Sequence, residues 1–274
     1  MSEPVLSVED LVVRFHLKRG TLTAVDGLSF DVNKGETFGL VGESGSGKSV
    51  TARAIMRLLP SPPANITARR VSIDNQNIYE LDDEQIRGIR GRKIAMVFQE
   101  PMSALNPVYS VGAQIGDVLR TNLGMNKAEA RERTIELLEL VGIPSARGRV
   151  DNYVHEFSGG MRQRVMLAMA MSCNPTFLIA DEPTTALDVT IQATILELIS
   201  SMIDRFDMSL LFITHNLGVV AHACDRIGVM YASHLVELGE KREIFRNPMH
   251  PYTVGLLNSI PRMDQQTKYL TPID

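Results

Sequence analysis

The sequence predicts an α/β fold: a largely parallel sheet covered on its faces by helices, with a helical subdomain inserted in it. Three observations carry that expectation. Short apolar runs of strand character alternate with helical stretches through the second half of the chain. A glycine-rich turn joins an apolar strand to a helix around residues 42–49. Between residues 105 and 149 the texture changes to periodic helical stretches, which reads as an insert in the mixed core.

The elements follow in order. Leu6, Val8, Leu11, Val13 and Phe15 form one alternating run and residues 28–32 another, with Lys18, Arg19 and Gly20 as a turn between them. Residues 37–41 are a short apolar strand that feeds the glycine-rich turn. A helix is expected over 49–59, stopped by Pro60, Pro62 and Pro63. Residues 94–98 read as an apolar strand, and 111–119 and 127–141 as helices, the second rich in Glu, Arg and Leu. Then come a helix over about 159–173, a buried strand at 176–180, a helix over 190–206 and a strand at 209–214. There is no internal repeat and no low-complexity tract.

Composition narrows the class. The chain has 274 residues, 44% hydrophobic and 22% charged, as a globular protein has, and that mixture excludes disorder or a fibrous repeat. The apolar stretch at 165–171 is seven residues long. A membrane helix needs about 20, so the chain is not expected to span a bilayer by itself. Its start has neither the basic nor the apolar run of a signal peptide. Cys173 and Cys224 have no pairable or metal-ligand spacing, which fits a reducing cytosol and two small buried hydrophobes. The net charge of −4 gives no global basic field toward nucleic acid. Arg87, Arg90, Arg92 and Lys93 are read as a solvated loop and helix end. Met161, Met166, Met169 and Met171 are read as core packing on one helix.

Gly42, Glu43, Ser44, Gly45, Ser46, Gly47, Lys48 and Ser49 form a complete GxxxxGK[ST] phosphate loop, placed between strand and helix as such a loop must be. Glycines let successive N–H groups turn inward on phosphate oxygens, and the helix start adds its positive end. Lys48 can reach the β and γ phosphates, and the Ser49 hydroxyl can ligate Mg²⁺. A glycine-rich turn that binds nothing is the bland alternative, and eight matching positions in the right context argue against it. Residues 177–182 are a buried strand ending in two acids: Asp181 to hold the Mg²⁺ shell, and Glu182 to polarise the attacking water as general base. Many strands end in Asp, so this signal gains its weight from the phosphate loop. His215 ends the following strand, where its imidazole could sense the γ-phosphate or be structural. Gln99, after the strand at 94–98, could ligate Mg²⁺ and place water, or be an ordinary polar strand end.

Phe157, Ser158, Gly159, Gly160, Met161, Arg162, Gln163 and Arg164 open a helix 110 residues after Lys48. This stretch resembles the Ser-Gly-Gly motif of ATP-binding cassette proteins. The order from loop 42–49 through Gln99, Ser158–Gly160, Asp181–Glu182, Ala186-Leu187-Asp188 and His215 resembles that family's whole set, over about residues 5–260. The similarity is narrowest to the ATPase subunits of oligopeptide and dipeptide importers. Loop 42–49, residues 98–107, residues 179–192 and the His250-Pro251-Tyr252-Thr253 stretch carry that narrower match.

The resemblance implies an α/β fold with a P-loop NTPase (RecA-like) core, an antiparallel β subdomain and an inserted α-helical subdomain. It implies one nucleotide-binding domain over 1–274: β subdomain and core at 1–104 and 155–240, helical subdomain at 105–154, tail at 241–274. It also implies an ATPase that moves solute across a membrane. The implied catalytic residues are Lys48, Gln99, Glu182 and His215, and the Mg²⁺ ligands are Ser49, Gln99 and Asp181. The implied ATP contacts are Phe15, Gly42, Glu43, Ser44, Gly45, Ser46, Gly47, Lys48, Ser49, Val50, Gln99, Ser158, Gly159, Gly160, Asp181, Asp188 and His215. Ser158–Gly160 would face the γ-phosphate held by a second ATPase subunit, identical or paralogous, in a head-to-tail pair. Phe15 falls where the family stacks an aromatic on adenine, with a core strand residue as the alternative. The segment from Glu100 to Pro107 is the surface implied for two membrane-spanning permease subunits; subdomain core is the alternative for Met102 and Leu105. Glu156 is a second candidate for that signal. An extracytoplasmic solute-binding protein is an indirect partner, and nucleic acid is not expected. The implied location is the cytoplasmic face of the bacterial inner membrane.

Met161, Asn216 and Val154 depart from the commonest family residues without removing a catalytic group. Relatives often carry a cysteine-rich tail that can hold an iron–sulfur cluster. Here no cysteine follows Cys224 and the sequence stops at Asp274, so no cluster is expected; whether the chain is naturally short or trimmed stays open. Nickel or another small solute is the alternative cargo. A soluble cassette ATPase acting on DNA or ribosomes is the rival from another class, against which stand the short 110-residue gap and the lack of a strong basic face.

Overall fold

The computed structural model describes residues 4–185 and 187–259. They fall into two compact units: one takes the residues up to Glu80 and from Leu210 onward, the other Leu81–Ser209.

The first unit begins with two long strands, β1 (Pro4–Leu17) and β2 (Gly20–Asn33), joined by the expected turn. They pair antiparallel, from Pro4 with Asn33 to Leu17 with Gly20, with register shifts around Asp10 and Leu11. Alternation puts Leu6, Val8, Leu11 and Val13 of β1 into the core with Val25, Leu28, Phe30 and Val32 of β2. Next come β3 (Thr37–Val41), α1 (Lys48–Ile55), β4 (Ala64–Thr67), β5 (Arg70–Ile73) and β6 (Gln76–Asn77). β4, β5 and β6 complete an antiparallel sheet in the order β2-β1-β5-β6, with β4 paired to β1.

In the second unit are α2 (Asp83–Ile89), β7 (Ile94–Val97), α3 (Pro101–Ala104), α4 (Val111–Leu123), α5 (Lys127–Leu140) and α6 (Ala146–Arg149). They are followed by α7 (Gly159–Met171), β8 (Phe177–Asp181) and α8 (Val189–Phe206). β7 and β8 pair in parallel, and both are buried throughout. The helices start where local chemistry lets them. Asp82 and Gln85 form a capping box at α2, Asn126 and Glu129 another at α5, and Ser110 caps α4. Gly124, in the left-handed conformation, ends α4. Exposed pairs Arg131–Asp151 and Arg147–Glu132 bridge α5 to residues 147–151, and each arginine draws its partner carboxylate below the ordinary value.

The chain then returns to the first unit through β9 (Ser209–Thr214), α9 (Leu217–Ala223), β10 (Arg226–Tyr231), β11 (His234–Glu240), α10 (Lys241–Arg246) and α11 (Pro251–Asn258). β3 lies between β9 and β10, parallel to both, and β11 pairs antiparallel with β10. Gly39 of β3 is glycine because space demands it. A Cβ there would lie 2.8 Å from Val220 Cγ1 and 2.9 Å from Cys224 Sγ, so α9 rests directly on the strand backbone. Beneath, Arg226 pairs with Glu36 and Asp31, while Phe38 stacks on Phe30.

Two expectations need correction. The first helix ends at Ile55, not Leu59, because Arg57 takes a positive φ of 50° well before Pro60 is reached. Of the four methionines on α7, Met166 and Met171 are buried while Met161 and Met169 are partly exposed, so only half of that stripe is core. Phe15 is half-buried rather than a core residue, paired with Leu22 of β2 and Ala64 of β4. Cys173 and Cys224 are buried, and burial pushes the Cys224 thiol up to about 12. Among the described residues no helix is long and apolar enough to cross a membrane.

Candidate active site

The first unit supplies the phosphate loop. Residues 38–41 of β3 are buried, and the chain then turns through two glycines where a Cβ would strike a backbone carbonyl. Gly42 has φ 152° and its Cβ would fall 2.1 Å from the Met230 carbonyl oxygen; Gly47 has φ 107° and would meet the Ala24 carbonyl oxygen at 2.3 Å. Gly45, at φ 84° with open space around it, is required by its backbone alone. Helix α1 starts at Lys48 with Gly47 as its N-cap, no side chain bonded to its first amides and no acid in its first turn. A helix start of that kind keeps its positive end for an anionic ligand.

Lys48 is 4% exposed, and its ammonium donates to the carbonyl oxygens of Gly42 (2.7 Å) and Glu43 (2.8 Å). The loop is thereby laced to its own lysine. Ser46 is buried, Ser49 and Val50 are half-buried, and Glu43, Ser44 and Gly45 form an exposed rim. His215 is exposed in the same unit, between β9 and α9, next to Asn216, whose side chain caps α9 through the Gly218 N–H.

The second unit supplies the acids. β8 carries Asp181 and Glu182 to its end, 1% and 7% exposed. Glu182 sits at φ 46°, a left-handed conformation that a non-glycine residue adopts only when its surroundings hold it there. One oxygen of its carboxylate, Oε2, accepts from Gln99 Nε2 at 3.1 Å and from the Thr185 hydroxyl at 2.8 Å. Gln99 is exposed just past β7, and its donated amide leaves its carbonyl oxygen as the end suited to a cation. Thr185 is absent from the sequence-derived set; its signal was the spacing of three residues after Glu182, which returns a hydroxyl to the strand end.

In the same unit Ser158 caps α7, its Oγ accepting the Met161 N–H at 3.4 Å. Ser158 and Gly159 are exposed, and a Cβ on Gly159 would meet nothing within 4 Å. Gly160 is different, since its Cβ would lie 2.9 Å from Ile191 Cγ2. Asp188 accepts the N–H of that same Ile191 at 2.9 Å and so caps α8. A residue expected to touch nucleotide thus also fastens α8 where α8 meets the glycine helix. Glu156 is exposed and accepts the Tyr153 N–H at 2.5 Å. Leu105 is buried at 2% whereas Met102 is 47% exposed, which divides the pair between core and surface.

Residues 25–185 match the ABC transporter family model, and residues 236–274 match the oligopeptide/dipeptide transporter C-terminal region. The chain belongs to the ABC transporter family. Its relatives include the dipeptide transport ATP-binding protein DppD of Bacillus subtilis, 53% identical over 99% of this chain and 81% of that one. The oligopeptide transport ATP-binding protein OppD of the same organism is 51% identical over 95% of this chain and 73% of its own. Among solved structures, a dimeric post-hydrolysis state of the ATP-binding cassette MJ0796 bound to ADP and phosphate superposes with TM-score 0.76. It is 26% identical and covers 86% of this chain and 99% of its own. The fold is that of the ABC ATPase cassettes, and the chain is an ATPase of this family.

Proposed function

We propose that the chain is the ATP-hydrolysing motor subunit of a membrane importer for dipeptides and oligopeptides. The observation that carries the solute class is the match of residues 236–274 to the peptide-transporter C-terminal region. Loop 42–49 takes the phosphates: its three glycines have the backbone such a cradle needs, and α1 begins without a competing side chain. Phe15, half-buried beside the hairpin turn, stacks on the base. Ser49, Gln99 and Asp181 are a set of hard oxygen donors with one carboxylate, which suits Mg²⁺; the ion would offset phosphate charge during transfer.

Glu182 acts as the base. Its carboxylate is oriented by Gln99 and Thr185, so a water placed against it loses its proton to a group whose direction is already set. His215 supports the γ-phosphate. Ser158, Gly159 and Gly160 contribute their helix start to the nucleotide of a second ATPase subunit, identical or paralogous, in a head-to-tail pair. Closure of that pair drives two membrane-spanning permease subunits, docked through residues 100–107, which receive solute from an extracytoplasmic binding protein. The subunit works at the cytoplasmic face of the bacterial inner membrane.

The test is purification of the complex from membranes through a tag on this chain, its other subunits untagged. Recovery of two membrane-spanning proteins, with peptide uptake lost on deletion, is the expected result. Recovery with ribosomes or DNA and no membrane protein would overturn the reading.

A further inference from the structure

Helix α11 reaches the phosphate loop through a hydroxyl. Tyr252 lies on α11, 209 residues after Glu43, is 6% exposed, and its Oη accepts the Glu43 N–H at 3.1 Å. That amide belongs to the Gly42–Glu43 peptide unit, whose other end, the Gly42 carbonyl, accepts from Lys48 at 2.7 Å. One peptide plane is therefore pinned at both ends. Turning it over would break both bonds and carry the carbonyl away from the lysine.

Each residue of the His-Pro-Tyr stretch serves that contact. His250 is the N-cap of α11, its Nδ1 accepting the Tyr252 N–H at 3.1 Å; Pro251 takes the first helical position, where no N–H is needed. Glu237 of β11 accepts the N–H groups of Met249 (2.7 Å) and His250 (3.0 Å), fixing where the helix begins. The Tyr252 ring lies against Tyr231 at 4.3 Å between centroids. Burial pushes the phenol above its ordinary value, so the group stays a neutral hydroxyl at physiological pH.

We propose that Tyr252 is a positioning residue of the nucleotide site: its hydroxyl orients the Gly42–Glu43 peptide and so sets where Lys48 rests. This rests on the reading of loop 42–49 as the ATP cradle, and it gives the C-terminal stretch a hold on nucleotide affinity. The experiment is equilibrium binding of a fluorescent ATP analogue to the full chain, beside thermal unfolding of the same samples. Tyr252→Phe keeps the ring and removes the acceptor. It should weaken binding about fivefold and raise the KM for ATP alike, with kcat within about twofold and Tm unchanged. Tyr252→Leu should show the same loss of affinity together with earlier unfolding. Wild-type affinity in Tyr252→Phe, or an affinity loss confined to the less stable Tyr252→Leu, would overturn the proposal. Lys48→Ala separates the two readings. If it weakens binding while Tyr252→Phe does not, only the positioning role fails; if Lys48→Ala itself binds like wild type, the cradle fails and the positioning role with it.

Discussion

The two glycine-bearing motifs of this chain begin helices of similar kind and are built on opposite plans. Loop 42–49 is enclosed: two of its glycines abut carbonyl oxygens, its lysine is buried and bonded back to the loop, and a tyrosine from α11 holds one of its peptides. The 158–160 start is open: Ser158 and Gly159 are exposed, and only Gly160 is bounded, by Ile191. An enclosed helix start is complete within one chain. On the function proposed above, the open one offers its amides to a nucleotide held by a second subunit, as a shared active site requires.

That contrast can be broken in several places. The largest effect should come from Glu182→Gln. As loss of a general base, it should lower ATP turnover by about 10²-fold or more while leaving ATP affinity within about threefold; turnover near wild type would remove Glu182 from the mechanism. Lys48→Ala deletes charge-assisted bonds to a loop and a ligand and should weaken nucleotide binding roughly 10–100-fold, read by titration. Glycine replacements test enclosure itself. Gly47→Ala meets a carbonyl at 2.3 Å in a positive-φ conformation and should destabilise the fold by about 2 kcal/mol in denaturant titration. Gly159→Ala enters open space and should change stability by less than about 0.5 kcal/mol, yet lower turnover of the assembled pair about tenfold. Equal stability losses for both would erase the distinction.

The smallest effect concerns Glu237. Burial works against its charge, but the N–H groups of Met249 and His250 prevail and hold its carboxyl below the ordinary value. A lowered folded pKa means stability present above the unfolded value and lost as pH falls through the folded one. Glu237→Gln should therefore lower Tm by about 2–4 °C at pH 7, and the gap to wild type should close on acidification below about pH 4.

Much of this was legible because it is local. The phosphate loop, the strand at 209–214 and the helix from Lys127 follow from periodicity, caps and glycine placement within a few residues. The stop of α1 was misplaced because prolines are conspicuous and a left-handed arginine is not. Tyr252 could be quoted as a motif but not given work, since its partner is 209 residues away and hydrogen bonds to a backbone amide leave no mark on the partner's side chain. Asp188 could be placed among nucleotide contacts but not as the cap of α8, because helix starts are the least certain boundaries. Met102 and Leu105 look alike in sequence, but Met102 lies on α3 and is exposed while Leu105, just past its end, turns extended and is buried.

Gly39 has a consequence for how this chain can change over generations. With Val220 and Cys224 both within 3 Å of where its Cβ would be, the position accepts a side chain only after both have given way. The order of substitutions is thus constrained. Cys224→Ala together with Val220→Ala opens a small void that a later Gly39→Ala can fill, whereas the reverse order passes through an overpacked intermediate. The helix that follows His215 is free to drift in composition along its outer face, but its inner face has a one-way door.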